Sequence, residues 1–301
     1  MDENKKKLTF LGIVGSLLLV IAISVIYVKL RTPTSTAKNG GTSVVSNATA
    51  DDGMITVKDF NDGEMKIPKY NVAESSYEMD SFTDDDGIIS YKGEKRIGIT
   101  VSDKHGNIDW QQVKNSGISF AYIRVGFRGI TDGKIYYDRN FQENMVGAAD
   151  AGIDIGVYFY SHSTTDIEAE EEASAVLDKI GLYQVKYPVA FMWEFAPDTA
   201  KLSSPPRTQG TSAEQVTRFT KSFCDKIKKA GHKAVFRTDK QMGYEYYNLE
   251  ALKDFDIWYV EYKKQPAFHY NFKLWEYSSQ ATVPGIEKNV KITYSFEDYA
   301  K

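Results

Sequence analysis

The sequence predicts an α/β protein, a TIM-like (β/α) barrel that follows a transmembrane helix and a stalk. Three observations predict this architecture. Residues 8–28 form a run without a charged side chain. Residues 29–53 are rich in Ser, Thr, Gly and Asn. From residue 96 to residue 301, apolar strand-like runs alternate with amphipathic segments, as strands and helices alternate in a barrel.

The uncharged run is long enough to cross a bilayer. At about 1.5 Å per residue, residues 8–28 span about 30 Å. Lysines 5–7 favour a cytoplasmic N-terminus over residues 1–7 and a C-terminal domain outside the cell. A cleaved signal peptide, which would leave a secreted protein, is the alternative. Because such peptides have apolar runs of about 7–15 residues and a small-residue cleavage site, the sequence favours a single-pass anchor in the cell membrane.

Two segments connect this anchor to the barrel. Residues 29–53 show no apolar period, and their composition is typical of a flexible stalk. Residues 54–95 have a mixed composition with strand-like stretches at 55–57 and 88–91. We expect this second segment to be a small lead-in that packs on the main domain.

The barrel prediction depends on eight apolar runs between residues 96 and 301. They are 97–101, 120–125, 153–160, 189–195, 234–238, 257–260, 273–277 and 290–294. Between them, apolar side chains recur at helical spacing in 141–149, 169–180 and 213–227. The glutamates at 168 and 170–172 are expected on a solvated helix face, and Asp109 is expected to cap a short helix.

Catalytic groups of such barrels lie at the C-terminal ends of the strands. Aromatic side chains are frequent there, with two carboxylates, an arginine and a lysine among them. Aromatic faces stack on sugar rings, and charged groups bind hydroxyls, so the pattern predicts a glycan cleft. The aromatics Trp258, Trp275 and Tyr277 could equally be core residues. The candidate site residues are Arg124, Tyr158, Tyr160, Glu194, Trp258, Tyr262, Trp275, Glu276, Tyr277 and Lys291.

Composition excludes several other classes of function. The 37 basic and 41 acidic residues give a net charge of −4, which disfavours a nucleic-acid binder. A single cysteine, Cys224, and four histidines leave no pattern of metal ligands. No glycine-rich phosphate loop is present either. We therefore predict no metal and no cofactor.

Several motifs carry a resemblance to a known family. The stretch Gly98-Ile99-Thr100-Val101-Ser102, followed by G-x-I-D-W at 106–110, resembles the G-I-D-V-S and G-x-I-D-W opening of glycoside hydrolase family 25. The chain at 188–194 resembles the family's L-P-V-x-L-D-x-E, that at 258–262 its W-x-A-x-Y, and that at 275–278 its W-Q-Y-S. The resemblance extends over about residues 97–296. It implies a lysozyme (N-acetylmuramidase) barrel that acts on peptidoglycan.

The departures from the family pattern fall on its acidic positions. Thr100, Met192 and Lys291 stand where the family has aspartates, and of the four acids only Glu194 is retained. Glycoside cleavage needs an acid and a second group that attacks or stabilises the oxocarbenium-like centre. Loss of one positioned acid–base group costs about 10²–10⁴-fold in rate. The resemblance, with these losses, predicts impaired muramidase activity.

Three hypotheses follow for function. The favoured one is a membrane-anchored, extracytoplasmic lysozyme-like protein that binds peptidoglycan or a related glycan, with Glu194 a vestigial acid paired with Arg124 or Lys291. The alternative is an active muramidase in which Glu194 is the general acid and Asp103 or Glu276 is a relocated partner. The third is the binding of a cell-envelope protein in the cleft.

Overall fold

The computed structural model describes residues 53–85, 87–197, 202 and 204–301. The predicted cytoplasmic N-terminus, anchor and most of the stalk lie outside these residues. Among the residues described, no helix combines the length and apolar character needed to cross a membrane.

Two β-hairpins make up the lead-in. Strand β1 (Met54–Asp59) pairs antiparallel with β2 (Gly63–Pro68), and β3 (Phe82–Asp85) pairs antiparallel with β4 (Ile88–Tyr91). A short 3-10 helix, Met79–Ser81, precedes the second hairpin. The strand-like stretches predicted at 55–57 and 88–91 lie within β1 and β4.

Eight further strands close into a barrel. Strand β5 pairs with β6 on one side and with β13 on the other, so the sheet has no open edge along this circuit. The prediction of an eight-strand barrel is therefore confirmed. The eight strands of the circuit are β5 (Ile97–Val101), β6 (Phe120–Arg128), β8 (Asp154–Ser161), β9 (Val189–Trp193), β10 (Ala234–Thr238), β11 (Asp256–Val260), β12 (Leu274–Ala281) and β13 (Val290–Ser295). A further strand, β7 (Ile135–Tyr137), pairs with β6 and lies outside the circuit.

The last strand of the barrel runs against its neighbours. Strands β5, β6 and β8–β12 are parallel, whereas β13 is antiparallel to both β12 and β5. Its first residues therefore lie at the end where the parallel strands finish. In this register Lys291 lies opposite Thr100.

Among the described residues, five α-helices lie on the connections between strands β5 and β11. The first begins after Asp109, whose Oδ1 accepts a hydrogen bond from the Gln112 N–H at 3.0 Å, so the predicted cap is confirmed. The fourth begins with a capping box between Ser212 and Gln215. The helices are α1 (Trp110–Asn115), α2 (Phe141–Asp150), α3 (Asp166–Ile180), α4 (Ala213–Lys229) and α5 (Lys240–Glu245).

The acidic run on α3 is not a uniformly solvated face, and this prediction is wrong for one residue. Glu172 is fully buried and accepts a hydrogen bond from Nε of the buried Arg128 at 2.6 Å. Burial raises the pKa of Glu172 to about 7, against the opposing charge of Arg128. Glu171 stays on the exposed side and meets the same arginine at 3.2 Å. The acidic run on α3 therefore includes one residue, Glu172, that forms a buried ion pair with Arg128.

The lead-in covers the outer surface of the barrel where helices are lacking. In the described part of the chain, no helix follows β11 or β12. Phe82 packs edge-on against Trp275 at a centroid distance of 5.6 Å, and Tyr77 stacks on Phe296 at 3.9 Å. The Tyr77 hydroxyl also donates a hydrogen bond to the carbonyl of Phe272. These aromatics replace the helix layer that covers the other strands.

Replacing Phe82 with alanine should lower the free energy of unfolding by about 3 kcal/mol, because it leaves a cavity over Trp275. Phe82 is only 9% exposed, whereas Phe60 on the first hairpin is 64% exposed. Phe60→Ala is therefore the control and should change stability little. Urea unfolding of both variants measures the difference, and equal effects would contradict the covering role of the lead-in.

Candidate active site

A cleft of about 560 Å³ opens at the barrel end where the parallel strands finish. Strand ends supply its floor, and the loops after β5, β9 and β12 supply its walls. The lining residues are Thr100, Ser102, Lys104, His105, Arg124, Ile130, Tyr158, Tyr160, Met192, Glu194, Pro197, Ser279, Lys288, Asn289 and Lys291.

Below the cleft, inward-pointing side chains fill the barrel. Phe120, Tyr122, Ala190, Trp258 and Leu274 belong to one buried cluster there, with Tyr158 and Met192 at its upper end. The glycine of the opening motif has a packing role, because a β-carbon at Gly98 would lie 2.1 Å from the ring of Phe120. The interior is thus a packed core, and ligands can enter only from the cleft.

The candidate acid, Glu194, is held by an arginine that the sequence interpretation missed. Arg237 Nη1 lies 2.6 Å from Glu194 Oε1, and the Tyr160 hydroxyl donates to Oε2. The predicted pairing of Glu194 with Arg124 or Lys291 is therefore wrong. Met192, two residues before Glu194 and lining the same cleft, brings no charge and no strong hydrogen-bond acceptor.

Arg237 also binds the second glutamate of the prediction. Its Nε and Nη2 donate to the two carboxylate oxygens of Glu276 at 3.0 and 2.8 Å. The Tyr262 hydroxyl donates to Oε1 at 2.7 Å, and Lys291 Nζ lies 3.4 Å away. Burial alone would raise the pKa of Glu276, but Arg237 and Lys291 hold it at about 2.

These contacts engage Glu276 on both oxygens. Its side chain is fully buried, so it does not face the cleft. Burial opposes the charge on Arg237, but Glu276 and Glu194 raise the pKa of the guanidinium above its ordinary value. The four groups, Arg237 and Lys291 with Glu194 and Glu276, form one electrically balanced cluster.

Strand alternation is the signal that could have identified Arg237. Strand β10 reads AVFRT, and Val235 belongs to the interior cluster. Because residues two apart in a strand share a face, Arg237 also points inward. A single charge at an inward position near a strand end needs a buried partner.

Arg124 is held by two aspartates on the other side of the cleft. Its Nη2 lies 2.5 Å from Asp103 Oδ1, and its Nε lies 2.7 Å from Asp138 Oδ2. Asp103 also meets Arg139 Nε at 3.0 Å. The structure therefore gives Asp103 two cationic partners and does not present it as a free carboxylate in the cleft.

Replacing Arg124 with alanine should lower the free energy of unfolding by about 2–3 kcal/mol, because the buried Asp138 carboxylate loses its cation. Arg139 binds the same Asp103 but is 85% exposed, so Arg139→Ala should leave stability unchanged. Thermal unfolding of the two variants checks this difference. Equal stability of both variants and the parent would contradict the importance of the buried pair.

The predicted aromatic residues divide into two groups. Tyr158 and Tyr160 line the cleft, whereas Tyr262, which is 49% exposed, is not among its lining residues. Trp258 is buried in the barrel interior, where its ring lies 4.2 Å from that of Tyr122. The structure corrects Trp258 from a sugar platform to a core residue.

Trp275 and Tyr277 are not sugar platforms of the cleft either, because of their positions on β12. They alternate along β12 with Leu274 and Glu276, which point inward, so their own side chains point outward. There Trp275 is covered by Phe82, and its indole N–H donates to the carbonyl of Glu261 at 2.9 Å. Neither ring faces the cleft.

Loop residues complete the cleft, and most of them carried no sequence signal. His105 is half-buried, and its Nδ1 accepts a hydrogen bond from the Ser102 N–H at 3.0 Å. Burial lowers the pKa of His105, and the charges of Lys288 and Arg124 lower it further. In the described ranges, no group of three or more His, Cys, Asp or Glu residues could hold a metal ion.

Comparisons with known proteins agree on one family. Residues 99–286 match the family model described as glycosyl hydrolases family 25. The autolytic lysozyme of Clostridium acetobutylicum is 25% identical over 190 residues, which are 63% of this chain and 52% of that protein. Lysozyme M1 of Streptomyces globisporus is 42% identical over 64 residues, 21% of this chain and 20% of the relative. The chain thus spans about half the length of the first relative and about one fifth of the second.

Solved structures share the fold. The modular autolysin LytC from Streptococcus pneumoniae, in complex with a synthetic peptidoglycan ligand, has a TM-score of 0.56 at 20% identity, covering 80% of this chain and 56% of that one. A family 25 glycosyl hydrolase from Bacillus anthracis has a TM-score of 0.54 at 19% identity, covering 68% and 90%.

Proposed function

The chain belongs to glycosyl hydrolases family 25, and we propose that it binds peptidoglycan or a related cell-wall glycan in the barrel cleft without efficient hydrolysis. The relatives support the ligand class, since they include lysozymes and an autolysin solved with a peptidoglycan ligand. The cleft supports binding, since its volume of about 560 Å³ is in the range of ligand sites.

The pairing of Glu194 with Arg237 is the observation that carries this proposal. A general acid must hold a proton when the substrate arrives and then release it to the leaving oxygen. Here the Glu194 carboxylate is already engaged, because the Arg237 guanidinium lies 2.6 Å from one of its oxygens. The Tyr160 hydroxyl donates a hydrogen bond to the other oxygen. The environment of Glu194 thus suits an ion pair better than acid catalysis.

The second catalytic group has no replacement among the described cleft residues. Thr100 and Met192 are uncharged, and Lys291 carries a positive charge that opposes an oxocarbenium-like centre. The two relocated partners considered for an active enzyme are both engaged, Asp103 by two arginines and Glu276 by Arg237. These contacts favour the impaired enzyme over the active alternative.

Binding can proceed without those groups. Tyr158 and Tyr160 line the cleft and offer ring surfaces there, and the Glu194 carboxylate can accept hydrogen bonds from sugar hydroxyls. We further propose that residues 8–28 anchor the protein in the cell membrane with this domain outside. Secretion after signal cleavage is the alternative. A cell-envelope protein partner is a separate outcome of the experiment below.

The test uses the full chain, purified in detergent and incubated with purified sacculi. We expect the protein to pellet with the sacculi and to release no muropeptides. Tyr160→Ala should weaken pelleting, whereas Leu182→Ala, an exposed apolar change outside the cleft, should not. Muropeptide release that Glu194→Gln abolishes would overturn the proposal in favour of an active muramidase. Absence of both pelleting and release would favour a protein partner.

A further inference from the structure

We propose that the cleft selects glycans that carry an anionic group, a carboxylate or a phosphate, and seats that group between Lys104, Lys288 and the Thr100 hydroxyl. This inference rests on the proposed function, because it names the chemical class of glycan that the same cleft takes. It depends on the charge balance of the site, on one unpartnered hydroxyl and on the positions of two lysines.

The deep charges of the site cancel. Glu194 and Glu276 balance Arg237 and Lys291 in one cluster. In the second cluster, the aspartates 103 and 138 balance the arginines 124 and 139. Neither cluster therefore gives the cleft a net charge.

Two lysines of the cleft carry charges that neither cluster balances. Lys104 and Lys288 both line the cleft, and neither forms an ion pair with a carboxylate in the described part of the chain. Lys288 Nζ donates to the carbonyl of Lys104 at 2.6 Å, which ties the two loops together. An ammonium has three donors, so Lys288 keeps two for a ligand. His105, whose pKa is lowered by burial and by Lys288, brings no compensating negative charge.

Thr100 supplies a neutral donor beside these charges. Its side chain is 5% exposed, and its Oγ1 is buried without a hydrogen-bond partner among the described residues. Thr100 lines the same cleft as the two lysines and lies opposite Lys291 in the β5–β13 register. A buried hydroxyl without a partner is costly, and a ligand oxygen would satisfy it.

The result is a cleft with the excess positive charge of Lys104 and Lys288 and a free hydroxyl. Low-dielectric walls concentrate the field of such charges inside a cleft. A neutral glycan gains nothing from this field, whereas an anionic glycan gains both affinity and a faster association. In the family pattern two of the neighbouring positions, Thr100 and Lys291, are aspartates, so this preference distinguishes the chain from that pattern.

Calorimetric titration of the full chain in detergent tests the proposal with three probes. They are neutral tetra-N-acetylchitotetraose, tetragalacturonic acid as the carboxylate glycan, and a glycerol phosphate oligomer as the phosphate polymer. We expect one or both anionic probes to bind about tenfold more tightly than the neutral one at low salt, and less so as salt rises. The relative affinities of the two anionic probes separate carboxylate from phosphate recognition.

The matched variants carry equal charge changes. Lys104→Gln with Lys288→Gln should remove most of the anionic preference, measured as the ratio of anionic to neutral affinity in the same variant. Lys229→Gln with Lys253→Gln changes the net charge equally but outside the cleft, and should keep the preference. Equal affinity for neutral and anionic probes would overturn this inference and leave glycan binding intact. Failure of every probe to bind would overturn glycan binding itself, and with it this inference.

Discussion

We expect Arg237→Ala to lower the free energy of unfolding by about 3–5 kcal/mol, because it removes one partner of a buried ion pair. Glu276 is fully buried and takes two hydrogen bonds from this arginine. Without them its charge keeps only the Tyr262 hydroxyl at 2.7 Å and Lys291 at 3.4 Å. Denaturant unfolding at pH 7 measures the loss.

The pH dependence gives this prediction a second signature. In the native protein the pKa of Glu276 is held at about 2, below its ordinary value of 4.5. Its contribution, about 3 kcal/mol, is therefore present above pH 4.5 and is lost as the pH falls towards 2. In Arg237→Ala, burial becomes the dominant influence and raises the pKa of Glu276. The difference in unfolding free energy between the parent and the variant should therefore shrink as the pH falls below neutrality.

The control variant removes the charges of Arg237 and Glu276 together. Arg237→Met with Glu276→Gln leaves no buried charge in the pair, so it should cost less stability than Arg237→Ala alone. If the double variant is as unstable as the single one, Arg237 acts through packing and not through the Glu276 charge. An unchanged stability of Arg237→Ala would contradict the balanced cluster altogether.

Restoring the family acids tests the catalytic interpretation. Thr100→Asp, Met192→Asp and Lys291→Asp return three carboxylates to the cleft. While Arg237 still pairs with Glu194, we expect this triple variant to remain nearly inactive on sacculi. Adding Arg237→Gln with Glu276→Gln frees Glu194 beside the carboxylate introduced at position 192 and should raise muropeptide release by about 10²–10⁴-fold. Initial rates of release compare the two variants.

Two controls accompany the activity measurements: removal of Glu194 and a check that each variant is folded. Glu194→Gln in the five-substitution background should abolish the gained activity, because Glu194 is the general acid of the catalytic interpretation being tested. Circular dichroism and the unfolding midpoint establish that each variant is folded. High activity of the triple variant with Arg237 intact would show that the arginine does not suppress Glu194. Inactivity of every folded variant would show that the cleft has changed beyond these positions.

The sequence by itself determined the barrel and its family. Eight apolar runs coincide with eight barrel strands, because strand and helix periodicities are local properties of the chain. The order of the motifs singled out Glu194, Thr100, Met192 and Lys291 as candidate site residues, and all four line the cleft. It also located Asp109 at a helix start, where the side chain bonds a neighbouring backbone group.

Only the tertiary structure decided what surrounds these residues. Arg237 lies 43 residues after Glu194 along the chain and 39 before Glu276, and barrel closure brings the three together. The direction of β13 decides that Lys291 lies at the cleft, and strand alternation decides that Trp275 does not. Strand alternation can show that a side chain points inward, but the identity of its ion-pair partner depends on distances between strands that are far apart in sequence.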